Sequence, residues 1–171
     1  RRHIWKLNMA DGKTEQLTKG MGIEYSPVIT SNGLAIFHSS ATRPTWPAVL
    51  QNGTIQDIAA ELFPAEFPSS LVQPQVITLK ASDGVESYGD LFLPPNYKPG
   101  DKHTAVIFIH GGSRRQMLLG FHYSQYYSNA YALSQYFASK GYIAMALNYR
   151  SGIGYGFEFR EALNYGAAGA S

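Results

Sequence analysis

The chain has 171 residues, 44% of them hydrophobic and 15% charged, with a net charge of +2. Those proportions exclude a disordered chain and describe a soluble globular protein, either one ordinary domain or pieces of two. The small net charge, with Arg114-Arg115 as the densest basic pair, excludes a nucleic-acid partner; no apolar stretch reaches membrane-span length, and the absence of Cys excludes disulfides and thiolate metal sites.

From residue 1 to about 60 every signal is β. Ile4 to Leu7 alternates, Asp11-Gly12 marks a turn, and Thr14 to Leu17 returns as a second short strand. Pro27 to Thr30 is a further strand, with Leu34 to His38 as its partner across Ser31-Asn32-Gly33. Trp46 to Leu50 and Thr54 to Ile58 flank Asn52-Gly53, a strong hairpin signal. Short strands at such regular spacing belong to a sandwich, barrel or propeller. His3 and His38 sit on these strands, where decorating them is the default role. Glu61 to Pro74, with Pro64, Pro68 and Pro74, reads as a linker.

The pattern then changes. Val76 to Leu79 and Tyr88 to Leu93 are strands around Asp83-Gly84, and residues 94–102 form a surface loop with two proline-driven bends. Ala105 to Ile109 is an unbroken apolar run, as in a strand of a parallel sheet buried on both faces. It ends in His110-Gly111-Gly112. Ser124 to Lys140 carries Tyr126, Ala130, Leu133 and Phe137 at helical spacing, and Lys140-Gly141 supplies a cationic last turn and a closing glycine. Tyr142 to Leu147 is another buried strand, and Phe157 to Asn164 reads as helical. This strand–helix alternation predicts an α/β fold with βαβ units around a parallel sheet.

Two loops carry the candidate chemistry. Glycines after a strand let backbone approach a ligand, so His110, Gly111 and Gly112 read as an oxyanion-hole loop of the HGG type. The alternative is a tight turn with His110 as a satisfied buried imidazole. Asn148 to Gly156 has alternating glycines, but its G-x-G-x-G spacing and its place after a later strand do not fit a phosphate cradle. No G-x-S-x-G elbow occurs. Ser113 sits in a glycine-rich loop without the sharp elbow a nucleophile needs, and His103 and His122 offer no triad spacing. For Glu158 and Arg160, on the helix after the second loop, a solvated or intradomain ion pair is the default role.

In order, the phrase from Ile4 to Thr18 followed by Ser26 to Ser40 resembles the blade repeat of TolB-like and peptidase propellers. Asp83-Gly84 with Gly89 to Pro94, then His110 to Gly112, then Asn148 to Arg160 resemble the prolyl oligopeptidase family of serine peptidases. Two departures stand out: Ser113 follows the glycines where the family often has Pro, and Ser151-Gly152 follows Arg150 where it often has Gly-Ser. The resemblance implies the last blade or blades of a β-propeller over 1–60, a linker over 61–74, and the N-terminal part of an α/β-hydrolase over 75–171. It also implies that the chain is a fragment starting mid-protein, with the catalytic Ser, Asp and His beyond Ser171 and no catalytic residue of its own.

On that resemblance Tyr149, Arg150, Gly154 and Tyr155 form a loop beside the active site. The expected partners are an oligopeptide substrate and the remainder of its own chain, with no cofactor and no metal; an oligomer and the compartment, cytoplasmic or secreted and periplasmic, stay open. An α/β-hydrolase esterase and a non-catalytic TolB-like scaffold are the alternatives to a peptidase.

Overall fold

The computed structural model describes residues 2–112 and 114–162, with the backbone of the two-residue strands Tyr165–Gly166 and Gly169–Ala170, which pair antiparallel. Strands β1 (Trp5–Leu7) and β2 (Thr14–Gln16) form a small hairpin. Next come β3 (Ile23–Thr30), β4 (Gly33–Ser39), β5 (Trp46–Gln51) and β6 (Thr54–Asp57), an antiparallel meander in sequential order. Asn52 and Gly53 both take positive φ, 50° and 76°, the pairing that matches the twist of a two-residue hairpin. Ile4, Ile36, Ala48 and Leu50 close the apolar layer beneath this sheet.

A second, mixed sheet follows. Strands β7 (Gln75–Lys80) and β8 (Glu86–Phe92) are antiparallel, β9 (Ala105–Ile109) runs through helix α1 (Gln125–Ser139) to β10 (Ile143–Asn148), and the order is β7-β8-β10-β9. β10 is parallel to β9 and antiparallel to β8. Phe92, Ala144 and Ala146 from the sheet pack with Tyr127, Tyr131 and Ala138 of α1 and with Met117 and Phe121. The predicted helix is present, and its inward face is as expected only in part: Ala130 and Phe137 pack against the core. Tyr126 and Leu133 are exposed, and Tyr127, Tyr131, Ser134, Gln135 and Ala138 are buried. The reason is polar: the Gln135 amide accepts from Val72 N (2.9 Å) and donates to Val72 O (2.7 Å), while the Tyr131 hydroxyl donates to Ala41 O (2.9 Å).

Two further expectations change. β9 is not covered on both faces: Ile107 and Ile109 are 58% and 62% exposed. The helix expected from Phe157 to Asn164 is the single turn α2 (Phe157–Arg160), and Asn164 lies outside the described residues. The proline-rich segment 61–74 opens with a 3₁₀ turn at Ala60–Leu62 and lies against the core through Phe67, Leu71 and Val72. The two sheets meet where Ser39 Oγ donates to Phe121 O (2.6 Å) and Phe121 N to Ser40 O (3.0 Å).

Candidate active site

Parallel pairing of β9 and β10, with Ile109 opposite Leu147, delivers His110 and Asn148 to the same edge of the mixed sheet. The loops after both strands therefore leave together, at the carboxyl ends where open α/β sheets place ligands. His110, Gly111, Gly112 and Tyr149 are brought into contact there, while Arg150, Gly154 and Tyr155 are held in the second loop around them.

Each residue of Asn148-Tyr149-Arg150 has a separate anchoring task. Asn148 Oδ1 accepts from Met117 N (2.7 Å), and its amide nitrogen donates to Met117 O (3.1 Å) and to the Tyr155 hydroxyl (3.1 Å). Ile153 N donates to Arg115 O (3.0 Å), which fastens the two loops a second time. Arg150, 3% exposed, forms a bidentate pair with Asp83 at 2.5 and 2.7 Å and so ties its loop to the β7–β8 turn. That fork geometry holds the guanidinium firmly charged.

The third task belongs to Tyr149. Its hydroxyl lies 2.8 Å from both His110 O and Gly112 O and shares its one proton between them. From α1 the Tyr127 hydroxyl donates to Gly111 O (3.0 Å). The His110 ring is buried, stacked on Tyr149 at 4.5 Å between ring centres, with Tyr127 edge-on at 6.4 Å. Neither ring nitrogen meets a well-aligned partner among the described residues. Burial pushes the imidazole below the usual histidine range, and the nearby carbonyls of Gly111 and Gly112 offset only part of that. His110 is therefore neutral and enclosed. A buried imidazole matches the bland expectation, but its lack of partners does not.

Gly112 takes φ +64°, in the left-handed region, and a side chain at Gly111 would meet nothing within 4 Å. Gly154, at φ +96°, brings its backbone against Gln116, whose amide a Cβ would meet at 2.4 Å. Tyr155 stacks face to face on Tyr88 at 4.3 Å, and burial raises its hydroxyl pKa. Ser113 lies outside the described residues.

Other histidines are occupied elsewhere. The His122 ring accepts from Ser124 N (2.9 Å) and lies 3.1 Å from Gln116 O, and burial lowers its pKa to about 4. His103 Nδ1 donates to Gly141 O (2.8 Å). His3 and His38 do more than decorate strands: both face the buried carboxylate of Glu24, at 2.8 and 3.0 Å, and Thr18 donates to it at 2.8 Å. Burial raises the Glu24 pKa, but these three hydrogen bonds outweigh it and hold the group ionised. No sequence pattern announces this cluster, because its members come from four separate segments. Arg160 pairs with Glu161 (2.9 Å), as does Arg114. Among the described residues no group of three or more His, Asp or Glu is placed to hold a metal ion.

No family model matches the chain. It is 28% identical over 97 residues to dipeptidyl peptidase 8 of human and of mouse, covering 54% of the chain and 10% of each relative. It is 24% identical over 165 residues to dipeptidyl-peptidase 5 of Porphyromonas gingivalis, covering 95% of the chain and 23% of that protein. Among solved structures, a Mycobacterium tuberculosis puromycin-hydrolysing peptidase superposes over 94% of the chain and 25% of its own, with a TM-score of 0.71 at 19% identity. The Pyrococcus horikoshii acylaminoacyl peptidase superposes over 87% of the chain and 22% of its own, with a TM-score of 0.62 at 24% identity. The chain thus spans a quarter or less of the length of these proteins. These dipeptidyl and acylaminoacyl peptidases are of the prolyl oligopeptidase family, so the family that the ordered motifs resemble is the one the chain's relatives come from.

Proposed function

We propose that the chain is part of a serine peptidase that cleaves peptide bonds of oligopeptides through an acyl-enzyme. In this reading residues 1–60 are the last blade or blades of a β-propeller, 61–74 the linker, and 75–171 the N-terminal part of an α/β-hydrolase domain. The four-stranded meander β3–β6 has the strand content of one blade, and the parallel β9–α1–β10 unit has the connection of a hydrolase sheet. The nucleophile, its base and its orienting carboxylate belong to other parts of the protein, so the chain by itself is inactive.

One observation carries the reading most directly. The HGG loop stands at the carboxyl end of a parallel strand with Gly111 and Gly112 exposed at the surface. Backbone amides held in such a loop stabilise the oxyanion that forms when a serine attacks a carbonyl. Tyr149, Arg150, Gly154 and Tyr155 then belong to the loop beside the active site, Tyr149 and Arg150 as its buried anchors.

The test uses the full-length protein with dipeptide and aminoacyl nitroanilides and a fluorophosphonate probe. We expect peptide hydrolysis and labelling at a serine outside residues 1–171, with no labelling of the isolated chain. Gly112→Val is expected to lower kcat at least about tenfold, because losing one oxyanion donor costs on the order of 10²–10³. A folded Gly112→Val enzyme with unchanged kcat reduces HGG to a turn. Ester hydrolysis without peptide hydrolysis turns the assignment to an esterase.

A further inference from the structure

The polar contacts of the HGG loop are one-sided. Tyr149 reaches the carbonyls of His110 and Gly112, Tyr127 reaches that of Gly111, and the His110 ring lies wedged against both tyrosines. Three consecutive carbonyls thereby share the protons of two phenols from different elements, one on α1 and one in the loop after β10.

Peptide planarity gives this arrangement a consequence. In a trans peptide the C=O of one residue and the N–H of the next point in opposite directions. Fixing His110 O therefore aims the Gly111 N–H away from Tyr149, and fixing Gly111 O aims the Gly112 N–H away from Tyr127. Each amide is thus turned from the tyrosine that holds the carbonyl before it, and the loop around them is open: a Cβ on Gly111 would meet no atom within 4 Å, and one on Gly112 only the Arg115 side chain at 3.9 Å. A loop of two glycines has many conformations of its own, and Gly112 at φ +64° occupies the left-handed region that glycine reaches without strain. Something outside the loop must select it.

We propose that Tyr127 and Tyr149 are positioning residues for the oxyanion site, setting from behind the direction in which the Gly111 and Gly112 amides point. This rests on the peptidase reading above. Neither phenol touches substrate; each acts through the carbonyl it holds. Oxyanion stabilisation depends on donors fixed before charge develops, so releasing a carbonyl lets the adjacent amide wander and weakens transition-state binding more than substrate binding.

The experiment compares Tyr127→Phe, Tyr149→Phe and the double variant in the full-length enzyme. Phenylalanine keeps the ring packing against His110 and removes only the hydroxyl. Each single variant is expected to lower kcat about tenfold or more with KM changed less than threefold, a fraction of what a lost donor costs. Binding of a peptide aldehyde, whose adduct carries the oxyanion, is expected to weaken in step with kcat/KM, and binding of the peptide product is not. If Tyr149→Phe does not fold, Tyr127→Phe, which releases Gly111 alone, gives the same readout. Variants with lowered melting temperature but wild-type kcat and aldehyde affinity overturn the proposal. If these variants are silent while Gly112→Val is impaired, the positioning role fails and the oxyanion reading stands. If Gly112→Val is silent too, both fail.

Discussion

Ser151 is the residue most at odds with its surroundings. It takes φ +70°, is fully buried, and its hydroxyl has no partner among the described residues. A side chain in the left-handed region costs about 1 kcal/mol relative to glycine. A buried unpaired hydroxyl adds to that. The exchange of Gly-Ser for Ser151-Gly152 thus places the serine where the glycine belongs. Gly152 cannot simply yield its place either, since a Cβ there would lie 2.9 Å from Arg115 O. Ser151→Gly is expected to stabilise the full-length protein by about 1 kcal/mol, read as a raised urea midpoint. An unchanged or lowered midpoint contradicts the strain argument.

At the scale of elements, α1 shows how hydrogen bonding overrides hydrophobic pattern. Its most regular apolar stripe leaves Tyr126 and Leu133 facing solvent, while Gln135 lies buried between the Val72 backbone and Ala41 O (3.3 Å). Segment 61–74 and the loop at Ala41 carry backbone groups with no strand to pair with, and one amide side chain satisfies them. Gln135→Leu leaves a buried N–H and carbonyl unpaired and is expected to cost about 2–4 kcal/mol. Leu133→Gln, on the exposed side, is expected to stay within about 0.5 kcal/mol. Melting curves of both variants decide the matter, and equal losses would mean that the helix is held by its apolar stripe after all.

For the whole molecule two features stand out. The first is a set of opposed buried titrations. Burial lowers the His110 pKa and brings that of His122 from 6.5 to about 4, so below pH 6.5 the unfolded chain binds protons that the folded one refuses. Their contribution is complete above pH 6.5 and is lost as pH falls. Asp90 behaves oppositely: burial raises its pKa from 3.8 to about 7, so stability falls as pH rises through that window. Asp90→Asn is expected to stabilise the protein above pH 7 by on the order of 4 kcal/mol, since a pKa raised from 3.8 to about 7 is worth about 1.36 kcal/mol for each pH unit. It is also expected to steepen the loss of stability between pH 6.5 and 4, since the opposing gain from Asp90 is then gone. A flat difference between variant and wild type across pH 4–8 would show that Asp90 is already solvated.

The second feature is the edge of β9, which has no second neighbour among the described residues and exposes Ile107 and Ile109. An apolar edge recruits other strands. The isolated chain is therefore expected to aggregate or exchange strands in size-exclusion chromatography, and Ile107→Lys with Ile109→Lys to reduce this. A monodisperse wild-type monomer with one cooperative melting transition would refute it.

Local chemistry accounts for what the sequence by itself determined. Strand alternation, Asn52-Gly53 and Asp83-Gly84 specify their hairpins because turn conformation is a property of adjacent residues. The run Ala105 to Ile109 and the helix after it likewise place His110 and Asn148 at one sheet edge through the parallel connection alone. What only the tertiary structure decided are contacts between residues distant along the chain. These are the pairing of Arg150 with Asp83, the hold of Tyr127 on Gly111, the inward turn of Gln135, and the convergence of His3, Thr18 and His38 on Glu24. Each joins groups at least six residues apart, and most join groups from different elements. Periodicity reports which residues avoid water; it carries no information about which buried polar group will find which partner, because that is settled by backbone left unpaired when the elements pack.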